Sequence, residues 1–145
     1  MVEITLINGP NLAALGSREP GIYGQETLSE IVSTLFRRAS EMGARITSVQ
    51  ADGEGQVVSA VNTAAERGGA LIINPGAFSH SSVAIMDSMS AFPGPVIEVH
   101  LSNVHGREQF RRRMLTAAAA DAVICGAGAL GYSLALDLAL NLLRR

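Results

Sequence analysis

The sequence predicts an α/β fold built on a parallel sheet, and three observations carry that prediction. Five short apolar runs alternate with stretches of helical periodicity along 145 residues, which is the pattern of a parallel sheet with right-handed crossovers. The run ALIIN at 70–74 is apolar without alternation, as expected for a strand buried on both faces. Polar and glycine-rich loops follow the first, third and fourth strands, where open α/β sheets bind their ligands. Five strands at this length suit the doubly wound flavodoxin-like order 2-1-3-4-5, as one domain over residues 1–145.

Residues 2–7 (VEITLI) read as the first strand. Thr27 and Glu30 form a capping-box pattern that starts a helix with Leu28, Ile31, Val32, Leu35, Phe36 and Ala39 at helical spacing, and Gly43 ends it. Residues 44–49 are the second strand. Residues 52–55 open a second helix with Val57, Val58, Val61 and Ala65 on one side, closed by Gly68 and Gly69. After strand 70–74, Pro75 and Gly76 turn the chain into a third helix near Ser81. Pro93 and Pro95 bracket a turn before the fourth strand, VIEVH at 96–100. Ser102 or Asn103 is a possible cap for a fourth helix that carries Arg111, Arg112 and Arg113. Residues 122–125 are the fifth strand and 130–145 the last helix.

Composition narrows the function. Net charge is −2 and the pI near 5.9, which argues against a nucleic-acid or anionic-membrane partner. The N-terminus lacks the basic flank and apolar core of a signal peptide, no run reaches a membrane span, and Cys125 is alone, so a cytoplasmic setting is expected. All eleven basic residues are Arg, and the absence of Lys excludes a Schiff-base lysine and a Walker-type phosphate loop. A hydrophobic fraction of 48% and a mean hydropathy of +0.26 point to an oligomer. So does the last helix, whose polar residues Ser133, Asp137 and Asn141 form one thin stripe. The alternative is that the first and last helices cover each other.

Familiar motifs are absent or misplaced. Residues 126–131 (GAGALG) match GxGxxG, but the chain ends before the acidic residue a dinucleotide site requires, and close helix–strand packing is the expected use of these glycines. No Trp and a first loop with two prolines argue against a flavin site. The three His and one Cys show no metal-ligand spacing, and no GxSxG elbow is present.

What remains is a set of polar residues on loops. The stretch LINGPNLAALGSREPGIYG at 6–24 places Asn8, Asn11, Arg18, Glu19 and Tyr23 among glycines and prolines, as a mobile binding loop would. A guanidinium beside a phenol favours the phenolate and makes Tyr a usable base. Glu98 and His100 lie two apart on one strand and so point to the same face, where a carboxylate orients a histidine for general-acid work. A base on one loop and an acid on another read as proton abstraction next to a carbonyl with loss of a leaving group.

Three ordered motifs, NGPNL-x₃-G-x-REP-x-x-YG, INPGAFSHSSVAI and VIEVHLSNVHGREQFR, together resemble the type II 3-dehydroquinate dehydratases over nearly the whole chain. The resemblance implies a cofactor-free, dodecameric lyase. Such an enzyme converts 3-dehydroquinate to 3-dehydroshikimate by anti elimination through an enolate, in the shikimate pathway or in quinate breakdown. By motif, Tyr23 corresponds to the base, with Arg18 beside it. Asn11, with backbone near Pro10 and Ala77, corresponds to the group holding a water against the enolate oxygen. His100 matches the acid, oriented by Glu98. Asn74 and the amides of Leu101 and Ser102 match the carboxylate site, and His80 and Arg111 the ligands of ring hydroxyls. Asp87 matches a residue reaching into a neighbouring subunit. Met86, Phe78 and the stretch 113–117 depart from the usual pattern, and Met86 bears on the contact near Asp87. A non-catalytic small-molecule-binding paralogue is the alternative; it need not keep both base and acid.

Overall fold

A computed structural model describes residues 1–145. Strands β1 (Val2–Asn8), β2 (Ala44–Gln50), β3 (Ala70–Asn74), β4 (Val96–His100) and β5 (Ala122–Cys125) form one parallel sheet in the order β2-β1-β3-β4-β5. This is the predicted order. Its registers set Asn8 beside Asn74, Ile73 beside Glu98 and His100 beside Cys125, so the chemistry-bearing strand ends share one edge.

Two apolar clusters cover the two faces of the sheet. One joins Ile4, Leu6, Ile72, Ile97 and Val99 to helix α2 (Leu28–Glu41) and helix α5 (Leu130–Leu143), through Ile31, Leu35, Tyr132, Leu136 and Leu140. The other joins Ile7, Leu71 and Ile73 to helix α3 (Glu54–Arg67) and helix α4 (Val83–Ser90), through Val57, Val61, Ile85 and Met89. No helix is long and apolar enough to cross a membrane.

The expected helix between β4 and β5 does not form. That connection is three short 3-10 turns at Val104–Gly106, Gln109–Arg112 and Thr116–Ala119. Its backbone is tied elsewhere: Leu115 N–H donates to the Ser79 carbonyl at 2.7 Å, and the Arg113 carbonyl accepts from His80 at 2.9 Å. These groups are therefore not available to a helical ladder. Asn103 still caps, but it caps the first 3-10 turn, accepting the His105 N–H. Helix α4 starts at Val83, two residues late, because a 3-10 turn at Gly76–His80 precedes it and Ser82 is its cap.

At the start of α2 the capping box is half made. Thr27 accepts the Glu30 N–H at 3.2 Å, but the Glu30 carboxylate returns to the Thr27 hydroxyl and not to its backbone. On α5, Ser133 is buried and Asp137 pairs with Arg38 of α2 at 2.9 Å. The two helices thus do cover each other, as the alternative reading had it. Leu130 and Leu134 nonetheless stay 60% and 43% exposed. Gly131 lies against the sheet, but a Cβ there would make only ordinary contacts, 3.4 Å from Val99 and 3.6 Å from Ile124, so the close packing expected of GAGALG is not what requires its glycines. Gly126 and Gly128, at φ of 87° and 59°, instead make the left-handed turn into α5.

Candidate active site

The loop leaving β1 and the loop leaving β3 are stacked on each other. Gly9 N–H donates to the Asn74 carbonyl at 2.8 Å, and a Cβ on Gly9 would fall 2.7 Å from the Pro75 carbonyl oxygen. Only glycine allows that approach. The next residue but one, Asn11, has φ of 68°, a left-handed conformation that Asn tolerates better than most side chains. Asp52 holds it there by accepting the Asn11 N–H at 3.0 Å, and Gln50 donates both to Asp52 and to the Gly9 carbonyl.

Leu12 and Leu15 are buried in the core and anchor the middle of this loop. Beyond them Pro20 starts a single helical turn, α1 (Pro20–Tyr23), as its fixed φ favours. The turn brings Tyr23 beneath Arg18, whose Cζ lies 4.4 Å from the ring centroid. A second guanidinium, Arg107, stands 5.2 Å from the same ring. Its Nη1 donates to Ser102 Oγ at 3.3 Å. The sequence reading missed Arg107, although it lies within the HGREQFR motif.

Opposite strands supply the other groups. At the end of β4, His100 Nε2 and Glu98 Oε2 are 2.7 Å apart. Glu98 is wholly buried, and its Oε1 accepts the hydroxyl hydrogen of Thr116, also buried. Glu98 therefore spends one oxygen on the imidazole and one on the threonine. His100 keeps Nδ1 for whatever enters the site. Thr116 was not singled out from the sequence, since it lies in the stretch that departs from the family pattern.

His80 Nδ1 must carry its hydrogen, because its partner is the Arg113 carbonyl, which only accepts; Nε2 is left free. Asn74 is buried and bonded to Tyr132 and Gly76. Arg111 Nε binds Glu108 at 2.7 Å. The Glu108 carboxyl is held below the usual carboxylate range by a backbone hydrogen bond and then by Arg111.

These residues line a cavity that opens to solvent, with about 520 Å³ of empty space including its mouth. Asn11, Arg18, Tyr23 and Arg111 line it from the loops. Asn74, His80, His100, Leu101 and Ser102 line it from the ends of β3 and β4, with Glu98 directly behind His100. Of the residues that the resemblance assigns to the site, all but Glu98 and Asp87 thus line this cavity, and Glu98 stands behind them. Asp87 does not: it is exposed on α4 and does not line the cavity of its own chain. Three guanidiniums at the rim suit an anionic ligand. Within it, a phenol under two cations and a carboxylate-backed imidazole offer two distinct proton-transfer groups.

The chain is similar to proteins of one described family over nearly its whole length. A sequence model of the family described as dehydroquinase class II matches residues 2–140. The chain is 48% identical to the 3-dehydroquinate dehydratase of Actinobacillus pleuropneumoniae serotype 5b over 145 residues, covering 100% of this chain and 94% of that protein. The crystal structure of type II dehydroquinase from Butyrivibrio crossotus superposes with a TM-score of 0.94 at 35% identity, covering 96% of this chain and 97% of that one. The type II dehydroquinase from Propionibacterium acnes gives 0.93 at 38% identity, with 97% of each chain covered.

Proposed function

The chain belongs to the class II dehydroquinase family, and from that premise we propose that its cavity removes water from 3-dehydroquinate, giving 3-dehydroshikimate by anti elimination through an enolate. The reaction class is that of a hydro-lyase. The substrate's carboxylate lies against Asn74 and the backbone amides of Leu101 and Ser102, and its ring hydroxyls against His80 and Arg111. Tyr23, as phenolate under Arg18 and Arg107, takes the C2 proton, and the electron pair of that C–H bond moves into an enolate. Asn11, with the backbone at Pro10 and Ala77, holds a water against the enolate oxygen. When the enolate collapses, the carbon–oxygen bond to the leaving hydroxyl breaks. The hydroxyl departs as water with a proton from His100. Because Nε2 faces Glu98, that proton comes from Nδ1. Solvent then returns both groups to their starting states.

One observation carries this reading: a guanidinium-covered phenol and a carboxylate-backed imidazole line the same cavity. A site that only binds needs neither pairing. The assembly we propose is a dodecamer in which Asp87 completes a neighbour's site. Support comes from its exposed place on α4, next to Val83, and from the apolar residues left open on α5. The test of the activity is direct. Purified protein given 3-dehydroquinate should develop the ultraviolet absorbance of a conjugated enone, and no signal above a heat-killed control would reject the assignment.

A further inference from the structure

Asn74 is the last residue of β3, and its side-chain amide is pinned at two points. Oδ1 accepts the Gly76 backbone N–H at 3.1 Å, and Nδ2 donates to the Tyr132 hydroxyl at 2.9 Å. A backbone N–H can only donate, so Gly76 decides which end of the amide is the oxygen. Nδ2 must then face Tyr132, whose oxygen accepts it. A phenol has one hydrogen, and Tyr132 gives it to Asn8 Oδ1 at 2.6 Å. From one backbone N–H, the direction of every bond in a chain across β3, α5 and β1 follows.

The chain is sealed from solvent: Tyr132 and Asn8 are 0% exposed and Asn74 is 3% exposed. Asn8 Nδ2 is buried without a partner, so this residue sits there at a cost, and its Oδ1 is the part the fold uses. Asn74, alone of the three, also lines the cavity. With Oδ1 turned to Gly76 and one Nδ2 hydrogen given to Tyr132, the second Nδ2 hydrogen is the donor it has left for a ligand.

We propose that Tyr132 is a positioning residue for ligand binding: its hydroxyl, fixed by Asn8, holds in place the Asn74 amide that Gly76 has oriented, so that the amide offers the cavity an N–H and not a carbonyl oxygen. An N–H attracts an anionic oxygen, whereas a carbonyl in the same place repels it. The hydroxyl acts before any substrate arrives, so the gain lies in an amide that need not be reoriented on binding. The inference rests on the reading of Asn74 as a ligand of the substrate carboxylate.

Steady-state kinetics with 3-dehydroquinate on four proteins test it: wild type, Asn74→Ala, Tyr132→Phe and the double variant. Asn74→Ala should raise KM more than it lowers kcat. Tyr132→Phe should raise KM about two- to tenfold, the worth of one hydrogen bond, with kcat within about twofold. In the Asn74→Ala background the same change should leave KM where it was. A folded Tyr132→Phe protein with wild-type KM overturns the proposal, as does an equal rise in both backgrounds, which is what a merely structural tyrosine gives. If Asn74→Ala leaves KM unchanged, the carboxylate reading fails and the inference falls with it. An effect of Asn74→Ala with a silent Tyr132→Phe sinks the inference alone. Should Tyr132→Phe not fold, Asn8→Leu removes the acceptor and keeps the ring. It should raise KM in the same sense by a smaller factor, again only while Asn74 is present, and an unchanged KM overturns the proposal.

Discussion

Glu98 divides its two oxygens between His100 and Thr116 and is wholly buried. A buried carboxylate with only two donors depends on both. Thr116→Val keeps the side-chain volume and removes one donor. Leaving that oxygen unpaired costs roughly 1–3 kcal/mol of stability. It also loosens the group that orients the imidazole, so kcat should fall while KM holds. Thermal melting and steady-state kinetics read the two effects, and a Thr116→Val protein with wild-type kcat would show that the threonine is a packing residue only.

Tyr23→Phe removes the phenolic oxygen and leaves the ring under Arg18 and Arg107. As loss of a general base, it should lower kcat about 10²–10⁴-fold, with KM within a few fold. Turnover at the wild-type rate would place the base elsewhere. Arg107→Ala should also lower kcat, and this arm is specific to the structure, because the loop sequence offers Arg18 as the only cation near Tyr23.

How far the sequence reached follows from the range of the interactions involved. Strands were legible because ALIIN and VIEVH have no polar interruption before their final Asn74 and His100, apart from Glu98, and His100–Glu98 is a local, same-face pair. The connection after β4 was not. Phe110, Met114 and Ala117 stand at helical spacing, whereas the partners that break the segment into 3-10 turns, Ser79 and His80, precede β4 in the chain. Tyr132 was invisible for the same reason. Its partners Asn8 and Asn74 are 124 and 58 residues away, and nothing within its own helix marks the hydroxyl as anything but part of an apolar face.

Burial pushes the Tyr132 phenol above its ordinary value of 10.0, and the hydrogen bond from Asn74 offsets this only in part. The folded-state value is raised, so the folded chain keeps a proton that the unfolded chain loses above about pH 10. Stability from this group is complete below that pH and declines as pH rises further, toward the folded value. Melting temperature should therefore drop on going from pH 9 to pH 11, and the slope should be shallower in Tyr132→Phe, whatever its starting stability. Parallel slopes for the two proteins would mean that the hydroxyl ionises as easily folded as unfolded.

Assembly is expected from apolar surface that the fold leaves open. Mutual cover by α2 and α5, with the Arg38–Asp137 pair, accounts for much of the apolar last helix. It does not account for Leu130 and Leu134, which stay exposed on α5, nor for Phe110, 62% exposed beside the cavity residue Arg111. Val83 at the start of α4 is 54% exposed on the same short helix as Asp87. Isolated exposed apolar residues are ordinary, but a row of them on a helix marks a contact surface. If α4 meets a neighbour, Val83 supplies contact area and Asp87 supplies a carboxylate to that neighbour's cavity. Activity and size should then fall together on dilution. Val83→Asp should lower both, since it buries an unpaired charge in the contact. Light scattering at assay concentration gives the size, and a fully active 15.1 kDa monomer would refute the interface and the shared site at once.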